Sequence, residues 1–486
     1  MTGDGELVLG IDLATAGARL LAVDVASGRV QASVEAPLPP PVVPAPGHLE
    51  QRPVYAEVVR ALLRAATASL GARAAGVRAL SVTATSGSVV AADAHGVPTG
   101  VALLYADQRG AALATRLSAT TGHRVGAAST LARLAWLAGP DAAAPVPGRV
   151  YLHVPDVVVA DLTGRLVTDT SHALKAGVDA AGLQWPGELL AAAAVPLTAL
   201  PELVGPGTVV GVVRTDVARD VGLPPGVRVV AGMTDGCTAQ LAAGAVAPGS
   251  SVGVLGTTLV LKGVSPTEVT GFAGAVYSHR APDGSWWPGG ASNTGAGVLA
   301  VDGGVPDLAA ADAAADAAGP SRWTGYPLSG TGERFPFARP DATAFLLPPP
   351  GARTAHPTPH ERHRTWLDGV AFVERLGLER LAELGVGSAD HRVVGGGTRS
   401  RVWTTVRASV LGRPVTRPAE PSSAFGAALL AASACSGTAL TATAVRLVRP
   451  AEVVEPDPRQ TGALEEGYRR LLAELHRRGW LDDRSG

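Results

Sequence analysis

Two aspartates stand where an apolar run gives way to a turn. Asp12 follows Leu7–Ile11 and opens Asp12-Leu-Ala-Thr-Ala-Gly17, and Asp235 follows Val227–Ala231 within Gly232-Met-Thr-Asp235-Gly236. Taken alone, an aspartate after a strand is more often a turn or helix cap than a chemical group. Here two further turns join them: Gly256-Thr-Thr258 after Ser251–Leu255, and Gly395-Gly-Gly397 after Arg392–Val394. Backbone N–H groups in such turns form nests for anions, and threonine hydroxyls add donors. Carboxylates that accept a proton or hold a hard cation, together with anion-binding turns, suit the handling of phosphate.

Other phosphate-binding devices fit less well. A Walker loop needs Gly-Lys-Ser/Thr, but the only lysines, Lys175 and Lys262, are followed by Ala and Gly. A dinucleotide fingerprint needs a glycine-rich turn leading into a helix. The first and third turns here lead into apolar strands, Ala18–Val25 and Leu259–Gly263. What remains is a pair of strand–turn–strand hairpins, each with Gly and Thr at its bend.

The elements that must position these turns are legible in part. Val54–Leu70, Ser400–Leu411 and Ser423–Ala432 read as helices, Thr365–Leu384 as an amphipathic helix, and Thr461–Arg478 as a docked amphipathic helix. Arg78–Val82 and Ser88–Asp93 read as a strand pair around a small-residue turn, and Val150–Leu162 suits helix or strand. Asp235-Gly236 leads into a small-residue helix, Cys237–Ala245. Pro306–Pro359 is rich in Pro, Gly, Ala and Asp, and its middle is expected to be irregular and loop-heavy. The second hairpin repeats the architecture of the first, which predicts a second, related domain.

Composition agrees with two domains. A chain of 486 residues exceeds one compact unit. Apolar residues make up 46% but aromatics only 4%, so the cores must be aliphatic. A net charge of −1 without a basic stripe argues against a nucleic-acid partner. Cys237 and Cys435 form no disulfide framework, which fits a reducing compartment. The start, MTGDGELVLG, does not read as a signal peptide, and no apolar run reaches the roughly 18–20 residues of a membrane span. A cytoplasmic protein without a membrane partner, monomeric or homodimeric, is expected. His153, His356, His360, His363 and His391 lie in or near polar stretches and are expected to be solvated.

The motifs together resemble a known family. Leu9-Gly-Ile-Asp-Leu-Ala-Thr-Ala-Gly-Ala-Arg19 is similar to the first phosphate motif of the FGGY carbohydrate kinases. Thr234-Asp-Gly236 resembles their catalytic-aspartate motif, Leu255-Gly-Thr-Thr258 their second phosphate motif, and Val394–Gly397 with Trp403 their adenosine motif. Within the family the likeness is to the D-ribulokinase (xylulose-kinase-like) branch. It rests on Ala84-Thr-Ser-Gly-Ser88, Thr168–Gly177, Tyr277-Ser-His-Arg280, Gly289–Gly295 and Gly332-Glu-Arg-Phe-Pro336. Xylulokinases proper carry Gln-Met-His where this chain has Thr85-Ser-Gly.

The resemblance implies an α/β fold of two RNase H-like domains, of the actin/hexokinase ATPase type, with the active site in the cleft between them. The first domain is expected over 1–242, with 422–486 packing back on it, and the second over 243–421. Closure on binding is expected, because ATP must be shielded from water. The implied reaction is ATP-dependent phosphorylation of a free ketopentose, D-ribulose before D-xylulose or another polyol, with ATP and Mg²⁺ as cofactors. A non-catalytic sugar or nucleotide sensor is the alternative of another class. Asp235 is the implied base and also orients the sugar. Asp12 is a Mg²⁺ ligand beside the sugar, and Ser86 and Asp107 are further sugar contacts. Thr15, Gly256, Thr257 and Thr258 face the phosphates, while Gly395, Gly396, Ser400 and Trp403 line the adenosine. Trp403 has a place in the core as its alternative, and Asn293 and Glu333 either support loops or touch ligand. Cys237 reads as a small buried thiol rather than a nucleophile.

Overall fold

In a computed structural model, which describes residues 5–140, 148–301, 307–352 and 356–481, the chain divides into two units. The first comprises Met1–Ala242, His279–Gly284 and Ser422–Leu447, and the second Ala243–Ser278, Ser285–Pro421 and Val448–Gly486. The opening residues of the N-terminal stretch and Pro306 lie outside the described residues.

The first unit is built on a six-stranded sheet. Its order is Val209–Val212, Arg228–Val230, Val77–Ala84, Leu7–Leu13, Gly17–Asp24 and Val30–Pro37. Leu7–Leu13 pairs antiparallel with Gly17–Asp24 and parallel with Val77–Ala84, and Arg228–Val230 lies parallel beyond that. Leu7–Leu13 reads as one continuous apolar run because helices cover both faces of a parallel strand. Leu7, Leu9 and Ile11 are fully buried. Helix Ser423–Ser436 packs on this strand because both surfaces are small. A side chain at Gly10 would collide with the backbone of Ala424 and Ala428, and one at Gly426 with that of Thr238.

The second unit repeats this plan. Ser250–Leu255 pairs antiparallel with Leu259–Gly263, which pairs with Trp286–Ala291. On the other side Asp390–Val394 and then Val415–Pro418 run parallel, and antiparallel Pro450–Val454 closes the edge. Helix Pro359–Glu383 crosses the core, burying Leu367, Val370 and Val373. It begins earlier than its periodicity predicts. Thr358 and Glu361 form a reciprocal capping box and Pro359 occupies the first turn.

Four expectations are corrected. The segment from Ser422 onward does not stay with the first unit. From Val448 it belongs to the second, where Val454 pairs with Val415 and helix Pro458–Arg477 buries Leu464, Tyr468, Leu471 and Leu475. Val77–Ala84 and Val89–Ala92 are not a hairpin; they lie in different sheets, with Gly87 at positive φ in the turn between them. The middle of the stretch after Pro306 is not wholly irregular: Thr324–Tyr326 and Phe345–Leu347 pair as strands, and helix Leu308–Ala318, capped by Asp307, precedes them. His153, His363 and His391 are buried rather than solvated. They bond Thr168 Oγ1 at 3.0 Å, Asp312 Oδ1 at 2.8 Å and Ser251 Oγ at 2.7 Å respectively. Val150–Leu162 is strand and helix in turn, Val150–His153 then Val154–Thr163.

Candidate active site

The parallel strands of the first unit bring their carboxyl ends together. Asp12 is in register with Thr83, and a bridge from Ala84 to Thr234 carries the alignment on to Asp235. Ligands of α/β sheets collect at such ends. Burial, and then the negative charge of Asp235, push the Asp12 carboxyl up to about 7, with Arg19 pulling the other way. The two acids therefore share one electrostatic site. Asp12 Oδ1 is buried without a hydrogen-bond partner, and so is Ser86 Oγ on the loop that continues from Ala84. Buried polar atoms in folded proteins are rarely left unpaired, so two orphans beside one sheet end are available to ligand groups.

The backbone around Asp235 is fixed from several sides. Asp235 Oδ1 accepts from Gly236 N at 2.7 Å, and Asp235 O accepts from Ser423 Oγ at 3.1 Å. Thr83 Oγ1 donates to Met233 O at 2.6 Å. Thr234 N donates to Ser171 Oγ at 3.1 Å, and that hydroxyl lies 2.9 Å from His279 Nδ1. Cys237, fully buried beneath, is the small thiol the sequence suggests. Thr15 sits on the hairpin turn, which Ala14 N closes onto Gly17 O at 3.0 Å. Beside it a cavity of about 540 Å³ is lined by Asp12, Ala14, Gly17, Arg19 and Glu35.

Asp107 departs from its expected place at the sugar. Its side chain is fully buried. Oδ2 accepts from Leu49 N at 2.7 Å, Oδ1 from Arg109 N at 3.1 Å, and Arg109 Nε reaches both oxygens. Arg109 also bonds Glu50 at 2.8 Å. A carboxylate committed to these donors ties loops together and offers no oxygen to a substrate.

In the second unit, Val254 is in register with Val394, so the Gly256-Thr-Thr258 turn and Gly395–Gly397 leave adjacent parallel strands side by side. Gly395 has φ +92°, and a side chain there would lie 2.5 Å from Leu255 O, so only glycine fits. Gly396 and Thr257 are exposed, and Gly256 and Thr258 partly so. Ser400 is the N-cap of helix Arg401–Leu411, accepting from Trp403 N at 3.0 Å. Trp403 does not line a ligand surface. It is buried in the core, and its indole N–H donates to Leu367 O at 3.1 Å.

Two supports escaped sequence reading in whole or part. Glu333, buried, accepts from Ser292 Oγ, Thr294 Oγ1 and Tyr326 OH, and from the backbone of Asn293 and Arg334, at 2.7–3.1 Å. The segment it holds backs the Gly256-Thr-Thr258 turn. Leu259 N donates to Thr294 O at 2.7 Å, Ala296 N to Gly256 O at 2.9 Å and Gly297 N to Thr257 O at 3.1 Å. Asn293 Nδ2 donates to Gly332 O at 2.9 Å, so Asn293 and Glu333 both support loops. The other support is Arg133, fully buried beneath the Ser86 loop. Its place in an apolar stretch, Leu131–Leu137, was its only sequence signal.

The residues fit a hard divalent cation at Asp12. Its orphaned oxygen and the neighbouring charge of Asp235 are what such an ion would satisfy. Among the described residues no cluster of three His, Cys, Asp or Glu side chains surrounds it. Most ligands would then come from water and phosphate, as Mg²⁺ prefers.

Two acids at the end of a parallel sheet, and two glycine-threonine hairpins on a repeated topology, define a phosphotransferase of the actin/hexokinase type. The chain belongs to the FGGY family of carbohydrate kinases: its N-terminal domain matches over residues 7–242 and its C-terminal domain over 252–435. It is 31% identical to the xylulose kinase of Streptomyces coelicolor over 465 residues, 91% of each chain. It is 30% identical to that of Streptomyces rubiginosus over 452 residues, 89% of each. Among solved structures, a xyloylose kinase from Brucella ovis superposes with a TM-score of 0.87 at 25% identity, covering 98% of this chain and all of that one. Among the described residues no helix is long and apolar enough to cross a membrane.

Proposed function

We propose that the protein transfers the terminal phosphoryl group of ATP to a hydroxyl of a free ketopentose, D-ribulose first among the candidates. The observation that carries this reading is the pairing of Asp12 and Asp235 at the ends of parallel strands in one electrostatic site, with the unpartnered Ser86 hydroxyl on the loop past Ala84. Asp235 takes the proton of the attacking hydroxyl and orients it, a role that contributes roughly 10²–10⁴-fold. Ser86 bonds the sugar. Asp12 holds Mg²⁺, which when bound neutralises charge on the phosphates. Thr15 in the first unit and Gly256, Thr257 and Thr258 in the second are the phosphate-facing turns. Gly395 and Gly396 leave a flat backbone surface for the adenosine. Ser400 is kept in that group through the first turn of its helix.

D-ribulose is favoured by Thr85-Ser-Gly, which replaces the Gln-Met-His of xylulokinases proper. D-xylulose is the second reading, favoured by the names of the two Streptomyces relatives. The experiment that separates them is an ADP-release assay with Mg-ATP across D-ribulose, D-xylulose, L-ribulose, L-xylulose, ribitol and glycerol. The highest kcat/KM is expected with D-ribulose. A higher value with D-xylulose would replace the sugar and leave the mechanism standing.

A further inference from the structure

Arg133 is a buried cation whose bonds run to backbone carbonyls. It is fully buried, on helix Thr130–Ala138. Nε and Nη2 donate to Gly87 O at 3.1 and 2.7 Å. Nη1 donates to Tyr105 O and Asp107 O, both at 3.1 Å. Burial lowers its pKa to about 10, against the charge of Asp107, so the guanidinium stays charged at neutral pH. Desolvating a guanidinium is costly, and carbonyl dipoles repay it only where the geometry of the fork is used in full.

What the fork joins gives it a purpose. One prong holds the carbonyl of Gly87, the residue after Ser86. The other holds the loop of Tyr105, whose side chain is 44% exposed, and of Asp107, whose carboxylate ties in Leu49 and Arg109. The loop it grips on the first side cannot be held by strand pairing, since Val77–Ala84 and Val89–Ala92 lie in different sheets. Gly87 has φ +82°, and a Cβ there would lie 2.9 Å from both Arg133 Nη2 and Thr130 Oγ1. Thr130 Oγ1 is itself buried without a partner, so it does not hold the loop. Among these groups only the guanidinium spans both segments.

We propose that Arg133 is a positioning residue for sugar recognition: its fork sets the Ser86 loop against the Tyr105 loop, so that the chain's affinity for its sugar depends on a side chain that touches no substrate. The inference rests on Ser86 being a sugar contact. It requires the planar, two-pronged donor and not merely positive charge.

The test compares wild type with Arg133→Lys, which keeps the charge and loses the fork, and with Gly87→Ala, which disturbs the same contact from the loop side. Two readouts are taken on full-length protein: steady-state kinetics on D-ribulose and D-xylulose, and amide hydrogen exchange of peptides covering 83–90 and 103–109. In Arg133→Lys the KM for the sugar is expected to rise roughly ten- to a hundredfold, the weight of lost hydrogen bonds to a charged group. The KM for ATP and the sugar-independent ATP hydrolysis are expected to stay unchanged. Exchange should quicken in both peptides and stay constant in Leu7–Leu13. Gly87→Ala should raise the sugar KM in the same sense. An unchanged sugar KM in Arg133→Lys with unchanged exchange would overturn the proposal. So would a parallel rise of both KM values with faster exchange throughout, which is the pattern of a purely structural residue. If wild type releases no ADP with any sugar, the kinase reading fails and the proposal with it, whereas sugar-dependent turnover indifferent to Arg133→Lys sinks the proposal alone.

Discussion

The side chains that matter most here differ in how many of their hydrogen-bonding atoms are already used. Asp12 and Ser86 each keep a buried oxygen unpaired, whereas Asp107 has given both of its oxygens to Leu49 and Arg109. The motifs put all three on the sugar side, Asp107 less firmly than the others, because a motif shows residue type and interval but not the partners that folding brings. Asp12 stands out in the sequence because it closes an apolar run, Leu7–Ile11, at a turn, whereas Ser86 is reached only through the family resemblance of Ala84-Thr-Ser-Gly-Ser88. Asp107 is taken up by Leu49 and Arg109, and Trp403 takes its core alternative through Leu367; Leu49 and Leu367 are distant in sequence, so neither contact shows in a motif. Ser400 tests this distinction. As a helix cap, its change to alanine should cost about 1 kcal/mol in a urea melt. Its proposed place at the adenosine predicts a raised KM for ATP as well; an unchanged KM would leave capping as its whole role.

At the scale of elements, buried charge stitches helices to strands. Glu374 on helix Pro359–Glu383 accepts from Arg407 at 2.5 and 2.6 Å and meets His391 Nε2 at 3.0 Å, all three fully buried or nearly so. Burial pushes the Glu374 carboxyl up, but the charge and hydrogen bonds of Arg407, with His391, outweigh it and hold the pKa at about 2. Burial lowers that of His391. The folded state therefore binds fewer protons than the unfolded one. Stability from Glu374 is fully present above its ordinary pKa of 4.5 and is lost as pH falls toward 2, and His391 acts in the same direction below 6.5. Wild type should lose on the order of 2–3 kcal/mol from this carboxylate across that acid range. Glu374→Gln should be less stable at pH 7 and show a shallower acid slope in urea melts at a series of pH values; a slope equal to wild type would remove Glu374 from the account. This cluster was invisible beforehand. Glu374 and Arg407 were read only as parts of helices, and His391 was expected in water.

The whole molecule repeats one topology: an antiparallel hairpin on one side of a leading strand and parallel strands on the other. That repeat was legible from its two hairpins, because apolar strand, glycine-threonine turn and apolar strand recur at Leu7 and at Ser251. The division of the tail was not, because helical periodicity in Pro458–Arg477 shows that a face is apolar without saying which core receives it. Leu471 is fully buried in the second unit. Leu471→Ala should cost about 2–5 kcal/mol. Amide exchange should quicken in Pro359–Glu383 and Asp390–Val394 while Leu7–Leu13 stays protected. Faster exchange in Leu7–Leu13 alone would return the tail to the first unit.

The central claim is that the acids at the end of the first sheet transfer phosphate to a sugar with Asp235 as base. The most direct test is sugar-dependent ADP release by wild type beside Asp235→Ala, both confirmed folded by their melting temperatures. The expected result is turnover that requires a ketopentose and falls by roughly 10²–10⁴-fold in the variant. Equal turnover in the two proteins, or ADP release indifferent to sugar, would contradict it.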